Sequence, residues 1–137
     1  MNTHDRVALF RARLAADGQA TVIAEGHSMW PAIVHGTRVT VYPVDPARLA
    51  VGDVVLATAS RRSVMHRIIA LSRGRVLLKG DANPRDDGWC SMENVIARLP
   101  QRPDDQLRAA VSAHVGPRLA RLVGLCRRLS ERLGTRR

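Results

Sequence analysis

The chain is short of aromatic residues, lysine, cysteine and long apolar runs, and each shortage narrows what it can be. One Phe, one Tyr and two Trp among 137 residues leave the interior to aliphatic side chains. Lys79 is the only lysine among 22 basic residues, so any lysine chemistry rests on one amine. Cys90 and Cys126 lie far apart in segments of different character, which gives neither a metal-ligand spacing nor a disulfide framework. No metal or other cofactor is expected, and both thiols read as reduced in a cytoplasmic protein. No apolar run approaches the ~18 residues that cross a bilayer, and the N-terminus lacks the apolar stretch and small-residue cleavage site of a secretion signal. A soluble or membrane-peripheral protein is expected.

What is present suits one globular domain, since single domains mostly run to about 100 to 200 residues. Hydrophobic residues make up 45% and charged residues 25% of the chain, near the averages of soluble proteins. The formal net charge of +10 is unevenly spread: from Leu107 onward eight arginines face only Glu131, so that stretch alone carries +7. Basic tails bind nucleic acid, anionic lipid or an acidic partner. With the rest of the chain only slightly basic, no specific nucleic-acid target is expected.

The order of elements predicts a mainly β fold. Thr3 to Ala16 reads as a helix, with Thr3 as N-cap, Val7, Phe10 and Leu14 on one face, and Gly18 past its end. Ala20–Ala24 and Thr37–Tyr42 read as strands. Val54–Thr58 and Val64–Leu71 form a hairpin rich in β-branched residues about a turn at Arg61-Arg62, followed by strands at Arg75–Lys79 and Asn94–Leu99. After Pro100 and Pro103 the pattern turns helical. Leu107 to Val115 is one such stretch, and beyond Gly116-Pro117 the residues Leu119, Leu122, Val123, Cys126, Leu129 and Leu133 recur along one stripe. That stripe either docks on its own domain or lies on an anionic membrane surface. The expected division is an N-terminal helix over 1–18, a β domain over 19–100 and a basic helical tail over 101–137.

The candidate chemistry centres on Glu25-Gly26-His27-Ser28-Met29-Trp30-Pro31, which sets a serine between two chain-bending residues straight after a strand. Such a turn presents a nucleophile, although Gly, Ser and Pro also make ordinary turns. A serine hydroxyl needs a base within hydrogen-bond reach, and the candidates are Lys79, ending an apolar strand, and His66, inside Val64–Ile69. A catalytic imidazole needs an acceptor on its other nitrogen. The loop Lys79–Gly88 offers three aspartates, Asp81, Asp86 and Asp87; it lacks the order of a calcium loop.

Four blocks occur together: Gly26-His27-Ser28-Met29-Trp30-Pro31, Val51-Gly52-Asp53-Val54-Val55, Met65-His66-Arg67-Ile68-Ile69, and Lys79-Gly80-Asp81-Ala82-Asn83 with Asp86-Asp87, closed by Val95-Ile96-Ala97-Arg98. In order, spacing and type they resemble the S26 signal peptidase family over about 75 residues. The closest likeness is to its Ser-His-Asp branch from the endoplasmic reticulum, archaea and some spore-forming bacteria, in which histidine replaces lysine. The resemblance implies a signal-peptidase or self-cleaving-repressor type of coiled β-sheet domain. It implies Ser28 as nucleophile, His66 as general base, and Asp87 as the acid that orients it, with Asp81 competing for that role. Met29 would shape the substrate cleft, and Gly52 and Asp53 would be structural. The implied activity is a serine endopeptidase that cuts a leader or signal peptide after small residues through an acyl-enzyme; the implied partner is that precursor. A non-catalytic relative that binds a peptide or assembly partner is the alternative, and a DNA-binding repressor is a third. Two departures stand out. Many relatives carry a serine whose hydroxyl helps bind the oxyanion where this chain has Gly26, and the usual N-terminal membrane anchor has no counterpart, which points to a cytoplasmic task such as trimming the leader of a small ribosomally made peptide.

Overall fold

The computed structural model describes residues 1–114 and, beyond them, Leu122, Leu125, Cys126, Arg128, Leu129 and Arg132. It is mainly β, a curled antiparallel sheet with a helix toward each end of the chain. The elements are α1 (Thr3–Asp17), β1 (Ala20–Ile23), β2 (Arg38–Val41), β3 (Val54–Ala59), β4 (Arg62–Ser72), β5 (Arg75–Lys79), β6 (Trp89–Ser91), β7 (Val95–Arg98) and α2 (Asp105–His114). β1 and β2 form a two-stranded ribbon, and the other strands form one sheet in the order β6-β5-β4-β3-β7. A bridge between Tyr42 and Arg98, with hydrogen bonds of 2.8 and 3.0 Å, ties the ribbon to β7.

Local sequence explains most of these elements. The N-cap of α1 is Asn2 rather than Thr3: its side chain accepts from Asp5 N–H, and the Asp5 carboxylate accepts from Asn2 N–H, a reciprocal capping box. Gly18 closes the helix in the left-handed region. The β3–β4 hairpin turns on Ser60 and Arg61, both at positive φ, between the paired residues Ala59 and Arg62. The turn is thus two residues long, the length that matches strand twist, and Arg62 belongs to β4.

Alternation along the sheet divides the core in two. Val54 packs with Leu14, Met29, Ile33, Val41, Ala97 and Leu99, whereas its neighbour Val55 packs with Leu49, Ala57, Ile68, Val76 and Leu78. Leu14, almost wholly buried, is the peg by which α1 is held, and its truncation to Ala is of a class that costs about 2–5 kcal/mol.

The sequence pattern did not reveal β6, which is three residues long, too short to show alternation, and exists by pairing with β5. The expected tail stripe falls largely outside the described residues at Leu119, Val123 and Leu133. Its described members Leu122, Cys126 and Leu129 are exposed.

Candidate active site

The serine turn leaves β1 and is fixed from several directions. Gly26 has φ of +78°, a conformation costly for any side-chain-bearing residue. Its N–H donates to His35 Nδ1 at 2.9 Å, and the His35 ring lies 5.5 Å from that of His27. Met29 is buried in the first core cluster, and its carbonyl accepts from Ile33 N–H at 2.9 Å. Between them Trp30 and Pro31 are joined by a cis peptide bond. The Ser28 carbonyl accepts from Ala82 N–H at 2.8 Å, which fastens the turn to the aspartate loop.

Gly80 makes that contact possible. A Cβ at this position would stand 2.7 Å from Ser28 O, 2.9 Å from Ser28 Cβ and 2.7 Å from Asn83 Nδ2, so only a residue without a side chain lets the loop close on the turn.

His66 comes from the middle of β4, only 5% exposed. Its Nε2 lies 2.8 Å from Ser28 Oγ, and its Nδ1 is hydrogen-bonded to Asp87 Oδ2. An ionised carboxylate only accepts, so Nδ1 carries the proton and Nε2 turns its lone pair toward the serine hydroxyl. This is the arrangement in which an imidazole removes a proton from a hydroxyl while a carboxylate holds its orientation. Asp87 is set by its own backbone, whose N–H donates to Leu78 O at 2.8 Å and returns the loop to the end of β5.

The two other candidates from the sequence lie elsewhere. Asp81 accepts from Arg67 Nε and Nη2, both at 2.8 Å, and makes no pair with His66. Lys79 sits opposite Arg67 in the β4–β5 register, so its side chain leaves the sheet on the Arg67 side, away from His66. There Nζ is 3.2 Å from Ser112 Oγ on α2.

Arg67 is the centre of that second assembly. It is 1% exposed, and Nη1 donates to Gly52 O and to Asp105 Oδ1, each at 2.8 Å. Burial disfavours its charge, but Asp81 first and then Asp105 outweigh this, so its pKa lies above the ordinary arginine value. For Lys79 burial prevails over the attraction of Asp81, Asp86 and Asp87, and its pKa is lowered. Asp53, also buried, accepts from Ala50 N–H at 2.9 Å and from Gln101 Nε2 at 2.8 Å, holding the turn before β3. The first turn of α2 therefore supplies part of the polar interior. Asp105 had no signal in the sequence beyond ordinary charge; Arg67 stood within the Met65–Ile69 block with no role given to it, and the strand alternation that sends it to the face opposite His66 was a further hint.

The serine and histidine open into a cleft of about 530 Å³ whose lining includes Gly26, Met29, Ile33, Met65 and Asn83. Two backbone edges flank it. Ala24 bonds to Thr37 and Gly36 on the β2 side, which by alternation turns the N–H and C=O of Glu25 the other way. On β4, Ile68 bonds toward β3, so Ser63 and Met65 face away from β3, and β5 pairs with β4 only from Arg67 onward. The Cys90 thiol is pushed up in pKa by burial, and next by Asp87. Among the described residues no group of three His, Cys, Asp or Glu could hold a metal ion, and no helix is long and apolar enough to cross a membrane. Comparison of the chain with protein-family models, with curated proteins and with solved structures gives no match in any of the three.

Proposed function

We propose that the protein is a serine endopeptidase of the signal-peptidase type, with Ser28 as nucleophile, His66 as general base and Asp87 as the group that orients His66. The observation that carries the reading is the continuous chain of hydrogen bonds from Ser28 Oγ through the His66 ring to Asp87, made by residues from three separate segments at the floor of an open cleft. The resemblance of the four sequence blocks to the S26 family, and the curled antiparallel sheet that bears them, support it.

The chemistry follows from the geometry. Ser28 Oγ attacks a peptide carbonyl as its proton passes to His66 Nε2, and His66 then gives that proton to the leaving amine as the C–N bond breaks. Water repeats the cycle on the acyl-enzyme. The edges at Glu25 and at Ser63 and Met65 suit an extended peptide, which would add its backbone to strands on both sides. A leader or signal peptide, extended at its cleavage site, is the substrate class proposed.

Ser28→Ala and His66→Ala proteins are expected to stay folded and leave a precursor peptide uncut; unchanged cleavage by either sinks the proposal. A non-catalytic peptide-binding role uses the same cleft and is favoured by Gly26, which brings no hydroxyl to it. Failure of a phosphonylating fluorophosphonate probe to label Ser28 would decide for that reading. Exposed Leu122, Leu125 and Leu129 beside Arg128 and Arg132 favour contact of the tail with an anionic membrane surface over docking on its own domain. Co-sedimentation with phosphatidylserine vesicles that weakens as salt is raised is the expected sign; equal binding to neutral vesicles would speak against it.

A further inference from the structure

We propose that the side-chain amide of Asn83 is a catalytic hydrogen-bond donor to the oxyanion, in place of the hydroxyl that Gly26 lacks. The inference rests on the peptidase reading above and adds a residue to its machinery.

Attack by Ser28 Oγ forms a C–O bond and moves the carbonyl π pair onto oxygen. That oxygen then needs donors about 2.7–3.1 Å away, held in place before the reaction. The nucleophile's own backbone N–H is one. Among the described residues it has no hydrogen-bond acceptor, and it is free for the task. The N–H of Gly26, at the position where many members of the S26 family carry the helper serine, is already committed to His35 Nδ1. A second donor must come from a side chain in the cleft.

Asn83 lines the cleft beside the serine turn, and its amide shares the space over Gly80 with Ser28. Its Nδ2 and the Ser28 carbonyl oxygen and Cβ all crowd the one small space left by the missing Gly80 side chain, each within 2.9 Å of where a Cβ would be. The residue is locked at its root, because Asn83 N–H donates to Gly80 O at 3.0 Å, while among the described residues its side-chain amide has no hydrogen-bond partner. A half-buried amide, unpaired and lining the cleft beside a serine nucleophile, is a donor awaiting an acceptor. The tetrahedral oxyanion provides one, and the ground-state carbonyl a weaker one. Its contribution therefore belongs to kcat more than to KM.

This arrangement also accounts for Gly26. With φ at +78°, a serine there would be strained, so the turn that presents Ser28 forgoes the helper hydroxyl and the loop supplies an amide instead.

The test uses hydrolysis of an activated ester, p-nitrophenyl acetate, and the rate at which a fluorophosphonate phosphonylates Ser28 with loss of fluoride, in the full chain. Asn83→Leu removes the donor at nearly equal volume, and Asn83→Asp replaces it with an acceptor. Both are expected to lower kcat and the phosphonylation rate by about 100-fold or more, with KM within about threefold and the unfolding midpoint unmoved. Asn83→Gln, which keeps the amide, is expected to recover part of the rate. Rates for the Leu and Asp variants within threefold of the parent, or a loss carried by KM, overturn the inference while leaving the peptidase reading intact. If the parent protein itself fails to react at Ser28, the peptidase reading falls and this inference with it.

Discussion

His66 and Arg67 are neighbours in one strand, and the sheet turns them into opposites. His66 faces an open cleft, where its two ring nitrogens are the middle of a three-residue relay. Arg67 faces the interior, where its fork is shared among Asp81, Asp105 and the Gly52 carbonyl. Both are charge networks that end in carboxylates of the same loop, Asp87 on one side and Asp81 on the other. The difference is what surrounds them. One end of the Ser28–His66–Asp87 chain lies in the open cleft. The arginine cluster is centred on a buried guanidinium that ties the loop, β4 and α2 together. One strand thus carries chemistry and scaffolding on alternate residues, and a one-residue slip would exchange them.

Substitution of the two aspartates is the strongest way to break this comparison. Asp87→Asn removes the acceptor that fixes the His66 tautomer, and kcat is expected to fall about 10⁴-fold with little change in the urea unfolding midpoint. Asp81→Asn is expected to do the reverse, lowering the midpoint through loss of an ionic partner of Arg67 and affecting kcat mainly through the loop. Equal kinetic losses in the two variants would show that the carboxylates are not divided as described. Next in size is Arg67→Ala, which strips Asp81 and Asp105 of the guanidinium they share. A loss of about 3–5 kcal/mol is expected, as for a buried ion pair stripped of one member, read by denaturant titration. Arg67→Lys restores the charge but not the fork, and only partial recovery is expected.

The smallest effect sharpens the contrast on the interior face. Lys79 has a folded-state pKa below its ordinary value because of burial, so the unfolded chain binds the extra proton first. Stability should therefore rise as pH climbs from the lowered folded value through the unfolded one, near about 10.4. Lys79→Met, which places an apolar chain of similar length in the same site, should lose that rise, read as the difference between the parent and variant melting curves across alkaline pH. Parallel curves would mean the amine is not buried as described.

Much of this was legible in the sequence because it was written locally. The β-branched runs in β3, β4 and β5 announced their strands, and the order of the four blocks suggested which serine, histidine and aspartates belong together. What could not be read depended on register and closure. Residue type alone left both Lys79 and His66 as bases, and the block resemblance pointed to His66; the pairing of Arg67 with Lys79 puts the amine on the other face. Asp81 and Asp87 were rivals in a loop without periodicity, and the single bond from Asp87 N–H to Leu78 O determines which carboxylate returns to the histidine. Asp105 lies before Leu107, where the sequence pattern placed the start of the helical stretch, and it carried no signal of its own. Its role arises only because α2 packs on β4 and brings that carboxylate to an arginine 38 residues away.

The shortage of aromatic residues has a spectroscopic consequence. The chain holds two indoles: Trp30, two positions from the nucleophile, and Trp89, partly exposed on the short strand β6. A Trp89→Phe protein would emit from Trp30 alone, so its fluorescence would report on the serine turn without a label.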